Sequence, residues 1–322
     1  MGVAISAAAL WVALRQTSLG SLNEALRGAD YRFVGLAAVV YLLSMAARAA
    51  SWKSILGHRV SLMKLLGALN QGYLLNNLLP WRLGELGRAV LLGRHPGLST
   101  TIVLASIAVE RLYDMTLAVS LLLIMWAFVP QARWMRQAAW LGGLVIAMAG
   151  LGVWLVLRRP ELLRRVAARF PGQGSKWVMI LDHLHLGLSA FRTIGSLLSS
   201  FGWMAFGWFL AALQYWLVLR AFFPSPGWSW APFTLSITLL GVAVPSAPGY
   251  IGVFEGAAVL ALGLFGVEPG SAFAFAVTLH GLNFGITTLL GAMAMAAEGS
   301  TLVSTVRAVR SLASRDEAPP PH

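Results

Sequence analysis

The sequence predicts an all-α polytopic integral membrane protein, with about six spans plus two re-entrant helical hairpins arranged as an inverted repeat. Three observations predict it. Of 322 residues, 58% are hydrophobic and 11% charged, where a soluble chain carries about 25% charged residues. Several uncharged runs approach or exceed the length of a span. Residues 138–157 alone form a run of 20, enough at about 1.5 Å per residue to cross a hydrocarbon core of about 30 Å. Finally, two shorter apolar runs break in the same manner. Residues 65–81 run into Pro80 and Gly84, with Arg82, Glu85 and Arg88 close by. Residues 231–244 run into Pro245, Pro248 and Gly249, then close on Gly252 and Glu255. Two Pro/Gly-interrupted hydrophobic segments in corresponding places point to a binding site between inverted halves.

Taken in order, residues 1–14 form a short first span. They lack the basic start and small-residue cleavage site of a removable signal. Residues 15–32 are a mixed-charge connection. Residues 33–47 are the second span, followed by Arg48, Lys53, His58 and Arg59. Lys64 opens the first broken segment. His95-Pro96-Gly97 is a turn, and Ser99 and Thr100 cap a long helix reaching Val129. Residues 130–137 are a loop, and residues 138–157 the clearest span. Residues 158–176 hold six basic residues and one acid, the pattern of an amphipathic helix on a membrane surface. Residues 193–219 span next, and residues 223–228 turn at an interface. The second broken segment returns through residues 256–267, and residues 271–297 are the last span. Residues 1–300 read as one membrane domain, and residues 301–322 as a basic, Pro-ending disordered cytoplasmic tail.

Lysine and arginine set the orientation. Residues 48–64, 82–94, 158–192 and 307–315 carry 17 of the 24. With those segments cytoplasmic, both termini lie inside a cell (cytoplasmic) membrane and six segments cross. The first broken segment then dips in from the cytoplasm and the second from outside.

Composition excludes several classes. The net charge of +12 fits loops meeting anionic headgroups, and no nucleic acid partner is implied. The chain has no cysteine, which excludes disulfides and thiol catalysis. No Walker A, GxSxG or HExxH pattern occurs. His183 and His185 beside Asp182 are too few for a metal site, so no metal and no cofactor are expected. Of the 13 tryptophans, Trp11, Trp52, Trp134, Trp228 and Trp230 read as interfacial anchors.

The charges inside apolar segments carry the chemistry. Backbone that leaves the helix at membrane depth must line a cavity or be buried in protein, so Pro80 and Gly84 mark such a place. Arg82 and Arg88 suit a phosphate, and Glu85 suits an amine or neutralises them. The plainer reading is a cytoplasmic helix–loop with surface charges. Glu255 is the one charge between residues 221 and 267. A lone carboxylate there costs about 2.5–3.5 kcal/mol on insertion scales and normally faces a cavity or a partner. It could also stabilise the first turn of the following helix. Glu110 and Asp114 share a face and Arg111 can pair with Asp114, either to fix helix register or to serve transport. His280 and Asn283 lie one turn apart in the last span, where Gly281 and Gly285 form a small-residue pair for close packing. Glu85 precedes Glu110 by 25 positions, and Glu255 precedes His280 by 25.

Three motifs, Asn77-x-x-Pro80-x-Arg82-x-Gly84-Glu85-x-x-Arg88, Glu110-Arg111-x-x-Asp114 and Pro248-Gly249-x-x-Gly252-x-x-Glu255, carry a resemblance. Over roughly residues 1–300 the chain resembles the transmembrane region of lysylphosphatidylglycerol synthases, a flippase-like membrane family. The resemblance implies a lipid-translocating domain, which in fused members moves aminoacylated phosphatidylglycerol between leaflets. It points to membrane lipids with anionic headgroups, aminoacylated phospholipids or polyprenyl-linked lipids. Two departures matter. No aminoacyltransferase domain follows the last span, so a transporter is expected, not an enzyme. Tyr250 stands where a second glycine is common, which implies a different local backbone. The alternatives are a membrane enzyme acting on a lipid-linked substrate, or a scaffold for a lipid-modifying partner enzyme. A homo-oligomer fits either.

Overall fold

Among the described residues the apolar runs fold as helices. In order these are α1 (Gly2–Arg15), α2 (Leu19–Gly28), α3 (Tyr31–Ile55), α4 (Leu62–Leu78), α5 (Gly84–Gly93), α6 (Thr100–Trp126), α7 (Pro160–Ala168), α8 (Ile194–Phe222), α9 (Trp230–Ala243), α10 (Val253–Gly263) and α11 (Pro269–Ala297). The computed structural model describes residues 2–15, 17–56, 60–79, 83–126, 128–129, 158–168, 194–244 and 246–305. It also describes scattered positions between 137 and 155, and residues 178 and 307. The described residues contain no strand. Most of the expected span at 138–157, with the loop at 130–137, His183, His185, Trp134, Pro80 and Arg82, lies outside the described residues.

Polar side chains open several helices. Asp30, Ser61 and Glu268 cap α3, α4 and α11 by accepting from backbone N–H groups of the first turn, which satisfies donors that have no helical partner. Ser99 Oγ accepts from the Ile102 N–H at 3.2 Å and opens α6. Among the described residues α3, α8 and α11 are long and apolar enough to cross a membrane. α6 is as long but carries Glu110, Arg111 and Asp114.

The molecule is inverted relative to a water-soluble fold. Leu36, Val39 and Leu43 on α3, Trp203, Phe206 and Phe209 on α8, and Leu289 and Met293 on α11 are exposed, while Arg88, Glu110, Asp114 and Glu255 are buried. Apolar outside with charge inside is what a hydrocarbon solvent selects.

Both broken segments fold as helical hairpins. α4 and α5 run antiparallel. Asn76 and Gly72 face Gly84 near the tip, and Leu65 and Leu69 share a cluster with Ala89 and Leu92 at the base. Gly84 is where the two backbones close: a Cβ there would run into the Gly72 carbonyl. α9 and α10 repeat the arrangement, with Gly241 against Val253 and Ala257 near the tip and Phe233 against Phe265 at the base. The two tips meet. The 3₁₀ turn Pro248–Tyr250 packs on α4, and Gly249 approaches the Asn77 carbonyl. α3 lies along α8 and α11 along α4, while α6 touches α5, α8 and α9.

Several expectations are corrected. Residues 15–32 are not a plain connection. Most of them form α2, turned by 84° from α1 and capped by Ser18. The second span does not stop at residue 47, because α3 continues to Ile55 and carries Arg48 within it. Arg48 is therefore not a loop charge, and with buried Arg88 it leaves the count of 17. Trp52 is no interfacial anchor: it is fully buried and donates to Ser106 Oγ at 2.8 Å. Gly281 and Gly285 have no neighbour within 4 Å of an added Cβ. Close approaches on α11 are at Gly291, against Asn70 and Leu74 of α4, and at Gly270, against Ser21 of α2.

Candidate functional site

The hairpin tips close over two adjoining cavities of about 220 and 150 Å³, which share Arg48, Tyr73, Asn76 and Tyr250 on their walls. The smaller is charged. Its lining includes Arg48 from α3, Glu85 and Arg88 from α5, and Arg111 and Asp114 from α6.

Glu110 centres this network. It takes Arg88 Nη2 at 2.8 Å, Arg48 Nη1 at 3.0 Å and Arg111 Nη2 at 2.9 Å. Asp114 takes both Arg48 amines at 3.0 Å, Arg111 Nη1 at 3.2 Å and the Trp208 indole N–H at 3.0 Å. Arg111 Nε lies 3.6 Å from Glu85. Three arginines face three carboxylates, so the fully ionised network is neutral, as burial in a low dielectric requires.

The network has an inner and an outer part. Arg88 and Glu110 are 3% and 1% exposed, and Arg88 also lies over the Trp52 ring at 4.9 Å. Arg48, Arg111 and Glu85 keep 20%, 30% and 27% of their side chains exposed. The outer charges can therefore exchange a protein partner for a ligand. Arg88, assigned above to a phosphate, is instead held inside by Glu110.

Glu255 belongs to the second hairpin. As the third residue of α10, its Oε2 accepts from the Gly252 N–H at 2.7 Å, the helix-start role. Its Oε1 accepts from His280 Nδ1 at 2.6 Å. The helix-start reading of Glu255 thus holds geometrically, and its partner is a histidine, not an arginine. The spacing of 25 is a direct contact here. In the first hairpin Glu85 and Glu110 are bridged by Arg111. The His280 ring lies 4.6 Å from Phe254, and both line the larger cavity.

Neutral polar groups complete that cavity. Asn283 Oδ1 accepts from Gln214 at 2.6 Å. Asn77 Nδ2 donates to Thr287 and Thr288 at 3.0 and 2.9 Å and ties the first hairpin to α11. Asn76 Oδ1 accepts from the Gly84 N–H at 2.8 Å, which gives Gly84 its partner at the break. Three residues of the second tip, Gly249, Tyr250 and Gly252, have positive φ of 66°, 59° and 88°. Tyr250 thus takes a conformation that favours glycine. A bulky residue there is a backbone outlier costing on the order of 1–3 kcal/mol, the kind that gathers at functional sites.

The family model described as the lysylphosphatidylglycerol synthase TM region matches residues 1–291. The chain belongs to that family. No curated protein and no solved structure matches it. Membership with the helices above makes this a multi-pass membrane protein of a lipid-related family. The first two motifs send Asn77, Gly84, Glu85, Arg88, Arg111 and Asp114 to the cavity walls, while from the third stretch Tyr250 and Phe254, between the motif positions, line them.

Sequence reasoning missed Arg48, Trp208, Gln214, Tyr41 and Tyr73. Helical periodicity within α3 carried a signal for the first. Tyr41, Ser44 and Arg48 recur at helical spacing on one face of an otherwise apolar helix. The others are single polar groups on apolar helices, ordinary in sequence until the fold gathers them.

Proposed function

We propose that this protein moves the polar, phosphate-bearing headgroup of a lipid between leaflets through the paired cavities, while the acyl or prenyl tails stay in the bilayer. The observation that carries the reading is the meeting of two antiparallel, Pro/Gly-broken hairpins, tip against tip, over a cavity lined by charge and amides. Non-helical backbone at membrane depth needs such a cavity, and transporters place their sites at such breaks. Arg48 and Arg111 receive the phosphate, and Glu85 balances it or takes an amine. Glu255 with His280 gates the second tip or carries a proton. The two hairpins belong to an inverted repeat with six crossings in the cell membrane, and both termini lie in the cytoplasm. The substrate is an anionic or aminoacylated phospholipid or a polyprenyl-linked lipid. The protein is a transporter that acts without a cofactor, alone, as a homo-oligomer or beside a lipid-modifying enzyme.

The test is movement of headgroup-labelled phosphatidylglycerol, its lysyl derivative and a polyprenyl phosphate in proteoliposomes. Protein-dependent movement of at least one lipid is expected. Movement of none, with turnover of a lipid on addition of magnesium or manganese, would replace transport with enzyme chemistry.

A further inference from the structure

We infer that the larger cavity is a site for an uncharged polyol headgroup (glycerol, inositol or a single sugar ring) joined to its lipid through phosphate. The inference rests on the transport reading and names its substrate class.

The charge on the walls is the first argument. Among the described residues lining this cavity no carboxylate is present, and Arg48 is the one arginine or lysine. The exposed carboxylate, Glu85, lines the smaller cavity instead. An ammonium group entering the larger cavity would find no carboxylate on its described wall, since Glu110 and Asp114 behind it are engaged by Arg48. A phosphate at Arg48, on the shared wall, leaves the rest of its headgroup in the neutral chamber.

The second argument is hydrogen-bonding capacity. Asn76 spends its oxygen on the Gly84 N–H and keeps its amide hydrogens. Asn77 spends its nitrogen on two threonines and keeps its oxygen. Gln214 and Asn283 bond each other, so whichever way the two amides are turned, the pair keeps both a donor and an acceptor. The hydroxyls of Tyr41 and Tyr73 make no hydrogen bond among the described residues. None of these six side chains has an atom both sealed from the cavity and unpartnered. The lining is mostly apolar, and its polar points include both donors and acceptors, which suits hydroxyls, since they do both. It suits neither an ammonium, which only donates, nor a bare phosphate, which only accepts.

Size is the third argument. At about 220 Å³ the cavity falls below the range of about 300–1,000 Å³ usual for whole drug-sized ligands. Its volume matches a headgroup alone, not a whole lipid. Four of the chain's six tyrosines, Tyr41, Tyr73, Tyr215 and Tyr250, lie on its wall, and their rings offer flat apolar faces between the polar points.

The experiment uses full-length protein and four lipids with identical acyl chains: phosphatidylglycerol, phosphatidylinositol, phosphatidylethanolamine and lysyl-phosphatidylglycerol. Retention on the purified protein is read by native mass spectrometry. Movement is read in proteoliposomes with impermeant reagents, periodate for vicinal diols and an amine-reactive sulfonate for amines. The first two lipids are expected to be retained at least about tenfold over phosphatidylethanolamine. Tyr41→Phe/Tyr73→Phe, which removes two hydroxyls and keeps the rings, should lower that preference severalfold. Equal retention of polyol and amine lipids overturns the inference, whether or not any lipid moves. Preferential retention of lysyl-phosphatidylglycerol over phosphatidylglycerol also overturns it. Selective retention of polyol lipids without movement of any lipid supports the site and contradicts transport. An unchanged preference in the double tyrosine variant, folded by its melting profile, removes the hydroxyls from the argument.

Discussion

The two hairpins share a shape and differ in what fills it. The α4–α5 hairpin docks on α6 through a dense, neutral network, in which Arg88 and Glu110 are almost fully buried and paired with each other. The α9–α10 hairpin packs largely through apolar side chains, with Tyr215 bonded to Thr238, and its one carboxylate, Glu255, is bonded to His280. The same carboxylate chemistry thus does different work. In the first half the innermost charges hold the architecture and only the outer ones can meet a ligand. In the second half the single carboxylate lies beside the cavity with a titratable partner. A charge in an apolar segment is by itself no measure of functional importance, and the number of its partners separates the two cases.

The largest expected effect tests this contrast on the structural side. Glu110→Gln leaves Arg88 buried without its anion, and breaking one partner of such a pair costs about 3–5 kcal/mol. The variant should lose most of its folded yield or melt far below wild type in detergent. A wild-type melting temperature would show that the network is not structural.

Backbone closure at the tips comes next. Gly84→Ala forces a Cβ into the Gly72 carbonyl, and Gly252→Ala does the same against the Ser6 carbonyl at a φ of 88°. Backbone cannot step aside as a side chain can, so each should destabilise by about 1–3 kcal/mol or more. Gly281→Ala, with open space around its Cβ, should be silent. A destabilising Gly281→Ala would mean that α11 packs more closely than described.

The smallest effect is at Tyr250. Tyr250→Gly relieves a positive φ of 59° but deletes a ring from both cavities. The melting temperature should move by no more than a few degrees, while the retained lipid changes. A large fall in stability would make the tyrosine a packing residue, not part of the site.

How far the sequence foretold this differs by element. The breaks at Gly84 and at residues 245–252 were legible because Pro and Gly act locally, and Glu255 was legible because it stands alone in an apolar run. The role of Arg88 was not, since its partner Glu110 is 22 positions away on another helix and only packing decides whether an arginine faces inward. Arg48 was misplaced because a charge at the end of an apolar stretch looks like a loop. The structure shows two further helical turns beyond it, to Ile55. Trp52 misled for the same reason: composition suggested an interface, but Ser106 and Arg88 hold the ring inside.

The most direct measurement is the initial rate of headgroup movement in proteoliposomes for Glu255→Gln against wild type, at equal protein content and with melting temperatures recorded for both. Glutamine can still accept from the Gly252 N–H but carries no charge. The expected result is a loss of at least about a hundredfold in rate with the melting temperature held within a few degrees. An unchanged rate would contradict the assignment of Glu255 and His280 to the transport step and leave the second hairpin with a structural role only.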